Sequence, residues 1–295
     1  MSLLKKILIG IASVFLYILT ADSNLELLFA FGLILIMGIP HGSTDHLLSR
    51  YTNIDKLQKL PMWKFIAVYL TVMLLYGLLW YLQKEIAFIL FLGISAFHFG
   101  EAQLISYQKK LKFHNIAYLL WGAAVLIILF IFHLEQAAHL IVPYLVSEAA
   151  FTFFQINAWY ILGALMAPLL IILLLNSHKL LIKEVLELSL LMLISYFTSL
   201  LFGFAIFFAF WHSFDSTSHQ LESLKKIKTD FNFSQWMKEA APFTVISWIG
   251  LMLLTVLFIY MELSWPVTTL FFVLVSLITL PHIIVMSGFY KGVKH

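Results

Sequence analysis

The chain has 295 residues, of which 62% are hydrophobic and only 11% charged, with a net charge of +3. Soluble domains carry about 25% charged residues, so this chain lacks the polar surface that a water-soluble fold needs, and a mean hydropathy of +0.97 points to a bilayer. Cysteine is absent, which excludes disulfides, iron–sulfur clusters, thiolate zinc sites and cysteine nucleophiles.

Taken in order, the apolar segments predict an all-α polytopic membrane helix bundle of about ten spans, eight to ten in all, forming a single transmembrane domain over 1–295. Segment 7–21 comes after a basic start and imitates a signal peptide. Its end, Thr20-Ala21-Asp22-Ser23, is a poor cleavage site, so it reads as a retained first helix. Segments 25–40, 63–82, 86–103, 116–133 and 151–175 come next. The stretch from 185 to 221 is too long for one span, and a tight turn near 198–203 divides it into 185–198 and 200–220. Segments 243–261 and 266–290 complete the set. Between them, 221–241 is the longest cytoplasmic loop, and its mixed charge with Trp236 predicts an interfacial helix rather than a domain. No inverted repeat of the transporter kind is evident.

Charge placement tests this topology. With the N-terminus inside, all of the 18 basic residues except Lys84 fall on the inner side, from Lys5 and Lys6 through to Lys291 and Lys294. The positive-inside rule predicts such a bias, so both termini are expected in the cytoplasm, in a multi-pass protein of the cell (inner) membrane.

Four histidines lie at membrane depth in this apolar sequence: His41, directly after segment 25–40, and His98, His212 and His282, each inside its segment. Ionisable groups at membrane depth are costly and mark function. Counted along the even-numbered spans at 1.5 Å per residue, they lie about 18–24 Å from the outer surface, in the cytoplasmic half of a core about 30 Å thick. Four neutral imidazoles at one depth suggest a buried metal site. Acids lie three or four residues after three of them: Asp45, Glu101 and Asp215. Such carboxylates fix the tautomer of metal-bound histidines, although the spacing leaves open whether each serves its own histidine or a neighbour's. Pro40 and Pro281, just before His41 and His282, should bend their helices. His219 lies two turns after His212 on the same face, and His46 lies near the membrane surface. His114, His133, His139, His178 and His295 read as interfacial or loop residues.

Two other readings share these residues: a b-type haem protein with paired axial histidines, and a proton-coupled transporter with a His/Asp relay. Membrane desaturases and hydroxylases use HxxxH and HxxHH boxes, and neither is present. Nothing suggests nucleic-acid binding.

The blocks Pro40-His41-Gly42-Ser43-Thr44-Asp45, Phe97-His98-Phe99-Gly100, Trp211-His212-Ser213 and Leu280-Pro281-His282 resemble, in order, those of the Brp/Blh family of β-carotene 15,15′-dioxygenases. The resemblance implies an integral-membrane enzyme that uses Fe(2+) and O2 to cleave β-carotene, taken from the lipid phase, into two molecules of retinal. It carries His41, His98 and His212 over as iron ligands, with a fourth from the Trp-His helix. In the family that fourth histidine comes one turn after the Trp-His position, and here that residue is Ser216. His219, two turns on, is the candidate in its place, and His282 and His46 are the alternatives. Phe97, Phe99, Phe210 and Trp211 flank the blocks and are candidates for stacking on the polyene and stabilising positive charge along it. A rhodopsin using the retinal is the partner this implies.

The ligand set predicts that His41→Ala, His98→Ala and His212→Ala each abolish iron binding and activity while His133→Ala does not. Metal analysis and product extraction check this, and wild-type behaviour in any of the first three contradicts it. The same assays on His219→Ala, Ser216→Ala and His282→Ala identify the fourth ligand.

Overall fold

The computed structural model describes residues 1–20, 24–52, 54–260 and 267–292. His295, Lys294 and the span boundaries expected at Ala21, Met261 and Pro266 lie outside the described residues. All regular structure among the described residues is helical. In chain order the main helices are α1 (Leu3–Thr20), α2 (Asn24–Leu33), α3 (Met62–Leu82), α4 (Lys84–Leu104), α5 (His114–Ile131), α6 (Glu148–Asn176), α7 (His178–Phe197), α8 (Leu200–Ile206), α9 (Phe214–Ile227), α10 (Phe233–Tyr260) and α11 (Val267–Gly292). Nine helical stretches among the described residues are long and apolar enough to cross a membrane, so this is a multi-pass membrane protein.

Two expectations change in detail. The seventh segment is a full helix, α7, but it is not among those nine apolar stretches. It carries Lys179, Lys183, Glu184 and Glu187, and both glutamates are buried. The expected turn comes directly after it: Thr198 and Ser199 are extended, and the Ser199 side chain caps α8 by accepting from the Phe202 N–H. The segment 221–241 is not a separate interfacial helix. It comprises the end of α9, a short turn and the start of α10, where Trp236 is buried.

The described chain divides into two compact units, each built from discontinuous stretches. The first comprises Met1–Gly38, Ser95–His139 and Ser147–Ser216. Here α1 packs on α7, α2 on α8, and α5 on both α6 and α7. The C-terminal half of α4 meets α5 at backbone contact. A Cβ on Gly100 would fall 1.8 Å from the Tyr118 carbonyl oxygen, and one on Gly122 would fall 1.8 Å from that of Ala96. Only glycine permits this approach, and the two contacts bracket His98, fixing its height and rotation on α4.

Lys6, counted from sequence among the inner-side charges, is instead buried in this unit. Its Nζ lies 2.6 Å from Glu187 and 2.9 Å from Asp215. Glu187 also accepts from Gln103 at 3.0 Å, and Glu184 accepts from Gln103 and from the Trp121 indole. Lys183 pairs with Glu184 at 2.8 Å. The network ties α1, α4, α5, α7 and α9 together, because charges in an apolar interior persist only when they are paired and hydrogen-bonded.

The second unit comprises Ile39–Ile94, Leu140–Val146 and Thr217–His295. Helix α11 packs on α3 and on the short helix Asp45–Leu48, and the short helix Ile39–Gly42 packs on α10. The Trp80 indole on α3 donates to Ser276 on α11 at 2.8 Å. Helix α11 runs through Pro281 without ending.

Removing one member of a buried ion pair leaves its partner uncompensated and costs about 3–5 kcal/mol. Lys6→Met is therefore expected to lower the thermal stability of the detergent-solubilised protein by about that amount, and an unchanged melting profile contradicts the network's structural role.

Candidate metal centre

In the first unit, His98 and His212 form a pair with ring centroids 4.8 Å apart at 73°. His98 lies between the two glycine contacts on α4. His212 lies on a π-helical stretch, Phe207–Ser213, that continues α8. A second π-helical stretch, Ile34–Gly38, continues α2 and packs against the first. Such stretches insert a residue into the α ladder, rotate the downstream side chains about the helix axis, and concentrate at functional sites. Gly38 makes their contact possible, because a Cβ there would stand 2.3 Å from the Phe208 ring.

Aromatic rings close over His212. Phe208 stacks on it with centroids 5.4 Å apart, and Phe99 meets it edge-on at 4.8 Å. Phe99 also packs edge-on against Phe207 at 5.1 Å. Phe97 lies against Tyr118 and is half-buried, as is Phe210. Trp211 is buried with the Lys6 ammonium 5.3 Å from its ring centroid, so its face is taken up by a cation.

In the second unit, His41 and His282 form a similar pair, with centroids 4.9 Å apart at 81°. Asp45 lies one turn after His41 but serves His282, whose Nδ1 is 2.9 Å from Oδ1 and 3.1 Å from Oδ2. The Tyr69 hydroxyl donates to the same carboxylate at 2.9 Å. With Nδ1–H directed at Asp45, Nε2 of His282 keeps its lone pair, the state a metal requires. His41 Nδ1 lies 3.2 Å from the side-chain amide nitrogen of Gln220.

One ring nitrogen from each of His41, His98, His212 and His282 lies within 4.8 Å of the others, and all four residues are buried. Imidazole nitrogens of this number could hold a zinc, copper, iron or nickel ion. His219 stands outside this group, half-buried on α9, and Ser216 is buried one turn before it. His46 is also outside the group. Its Nδ1 lies 3.1 Å from the Ser43 carbonyl and its Nε2 3.1 Å from Glu239, so both nitrogens are engaged.

The three acids have separate fates. Asp45 orients His282. Glu101 is buried one turn after His98. Asp215 pairs with Lys6 and with the N-terminal amine, not with His212. Of the remaining histidines, His139 and His178 are exposed and His114 is half-buried. His133, beyond the end of α5, bonds to the Ser195 carbonyl at 2.7 Å. Burial pushes its pKa below the ordinary value, and the bond to that carbonyl offsets this in part.

Gln220, Tyr69 and the Glu184–Glu187 pair escape a search for histidines. The glutamates carry a readable signal, acids three residues apart on a largely apolar helix. Gln220 and Tyr69 carry none.

Fold and site together define a multi-pass helical membrane protein with a buried group of four histidines fit for a metal ion. The family model for β-carotene 15,15′-dioxygenase matches residues 32–290. The chain therefore belongs to the β-carotene 15,15′-dioxygenase family. Neither a curated protein nor a solved structure gives a significant match.

Because a carboxylate that orients a ligating histidine typically contributes 10–100-fold in metal affinity, Asp45→Ala is expected to weaken metal binding by about that factor. His46→Ala should leave it unchanged. Calorimetric metal titration of the purified proteins checks both, and equal affinities for Asp45→Ala and wild type contradict the assignment.

Proposed function

We propose that the protein is an iron-dependent dioxygenase that cleaves the central 15,15′ double bond of β-carotene with O2, giving two molecules of all-trans-retinal. The double bond breaks and each of its carbons takes one oxygen atom as an aldehyde, so atoms balance without a further reductant. His41, His98, His212 and His282 hold the iron. Its bound form supplies the redox chemistry by which O2 reacts with a polyene. The observation that carries this reading is the four-histidine group lying within the span of the family match.

The rest of the site suits that chemistry. Asp45 and Tyr69 keep His282 in its ligating tautomer. Phe99 and Phe208 cover His212, excluding water from the ring. With Phe97 and Phe210 they offer aromatic faces to an apolar rod arriving from the lipid. Trp211 serves the Lys6 network instead. The enzyme acts in the cell membrane with both termini in the cytoplasm, and a retinal-binding rhodopsin is a fitting consumer of its product. A b-type haem fits poorly: centroid separations of 4.8 and 4.9 Å leave no room for a porphyrin plane between the members of either pair.

Expression in bacterial cells that accumulate β-carotene should bleach them and yield retinal as the sole cleavage product, with the activity lost on iron chelation. Longer apocarotenals would contradict central cleavage. Unchanged carotenoid with verified membrane expression would contradict the substrate.

A further inference from the structure

His41 and His282 are neighbours in one unit, and their outer nitrogens face opposite chemistry. Asp45, facing His282 Nδ1, has only acceptor oxygens. Gln220, facing His41 Nδ1, presents an amide NH2, and the orientation of that amide is set by its other partners. The Trp236 indole nitrogen can only donate, and it lies 3.1 Å from the Gln220 Oε1. The Thr44 hydroxyl donates to the same oxygen at 3.0 Å. The carbonyl end of Gln220 is therefore held by Trp236 and Thr44. The NH2 end lies 3.2 Å from His41 Nδ1, with longer contacts at 3.5 Å to the His41 carbonyl and the Met286 sulfur. Gln220 and Thr44 are fully buried, and Trp236 nearly so, so this orientation is not averaged by water.

A nitrogen that accepts a hydrogen bond carries no proton. With Nδ1 accepting from Gln220, a neutral His41 bears its proton on Nε2, whereas His282 bears its proton on Nδ1. We infer that Gln220 is a positioning residue that holds His41 in the non-ligating tautomer, making it the most weakly held member of the histidine group. His41 gains a lone pair on Nε2 only by moving its proton to Nδ1 and giving up the Gln220 bond. The position it takes on a metal is thus the one most readily yielded to an exchangeable ligand. This inference rests on the reading that these histidines share a metal, and it adds an order of strength among them, with His282 held firm and His41 loose.

Gln220→Glu distinguishes the two arrangements. A carboxylate accepts from Trp236, Thr44 and a His41 Nδ1–H alike, so His41 becomes a preset ligand like His282. A protonated carboxyl reproduces the donor and acceptor pattern of the amide, so the metal-free variant retains the same contacts. The variant is expected to bind Co2+ about 10–100-fold more tightly than wild type, with a changed ligand-field spectrum. Equal or weaker binding by a variant of unchanged melting temperature overturns the inference. If the variant does not fold, 15N-histidine spectra of the metal-free wild type decide: Nε2–H at His41 with Nδ1–H at His282 supports it, and Nδ1–H at both overturns it. A wild type that binds no Co2+ or iron while showing the two opposite tautomers contradicts the metal reading instead, and with it the ranking of ligands.

Discussion

A neutral imidazole among apolar helices has one nitrogen that donates and one that accepts, and burial makes each expensive to leave unmet. That constraint organises the site. For His282 the donor is taken by Asp45, itself held by Tyr69, so the lone pair falls on Nε2. For His41 the acceptor is taken by Gln220. For His46 both nitrogens are taken by protein groups, which makes it an ordinary buried histidine despite its place beside Asp45. Chemistry at the outer nitrogen, more than proximity, separates a candidate ligand from a structural residue here.

The backbone is shaped to deliver these rings. Two π-helical stretches pack together over Gly38, turning the chain beyond α2 and α8 away from a plain helical path. Gly100 and Gly122 bring α4 and α5 to backbone contact around His98. The buried Lys6, Glu187, Glu184 and Asp215 network braces the same unit, with Lys6 over the ring of Trp211, the residue before His212. Charge is used there for structure, whereas the histidine group uses neutral nitrogens.

Much of this is legible in the residues. Hydropathy alone marks an all-α membrane protein, and the turn at Thr198–Ser199 is implied by the length of its apolar stretch. His41, His98, His212 and His282 stand out because a titratable group in an apolar segment needs a reason to be there. Long-range pairing is the part that the residues do not carry. Asp45 lies four residues from His41, which suggests a partnership along one helix, yet a turn at Ser43–Thr44 separates them and sends the carboxylate to His282 on α11. Asp215 lies after His212 at helical spacing but is drawn to Lys6. His219, favoured by its place after Trp211-His212, is left on α9 while His282 joins the group. Each departure comes from a contact between residues far apart in the chain, and local periodicity holds no record of those.

The most direct test of the central claim is iron K-edge X-ray absorption on the purified, iron-loaded protein. The account predicts a nitrogen-rich inner shell with the multiple-scattering pattern of several imidazoles, reduced by substitution of His282 and unaffected by substitution of His219. An oxygen-dominated shell without imidazole scattering, or a porphyrin pattern, would contradict it.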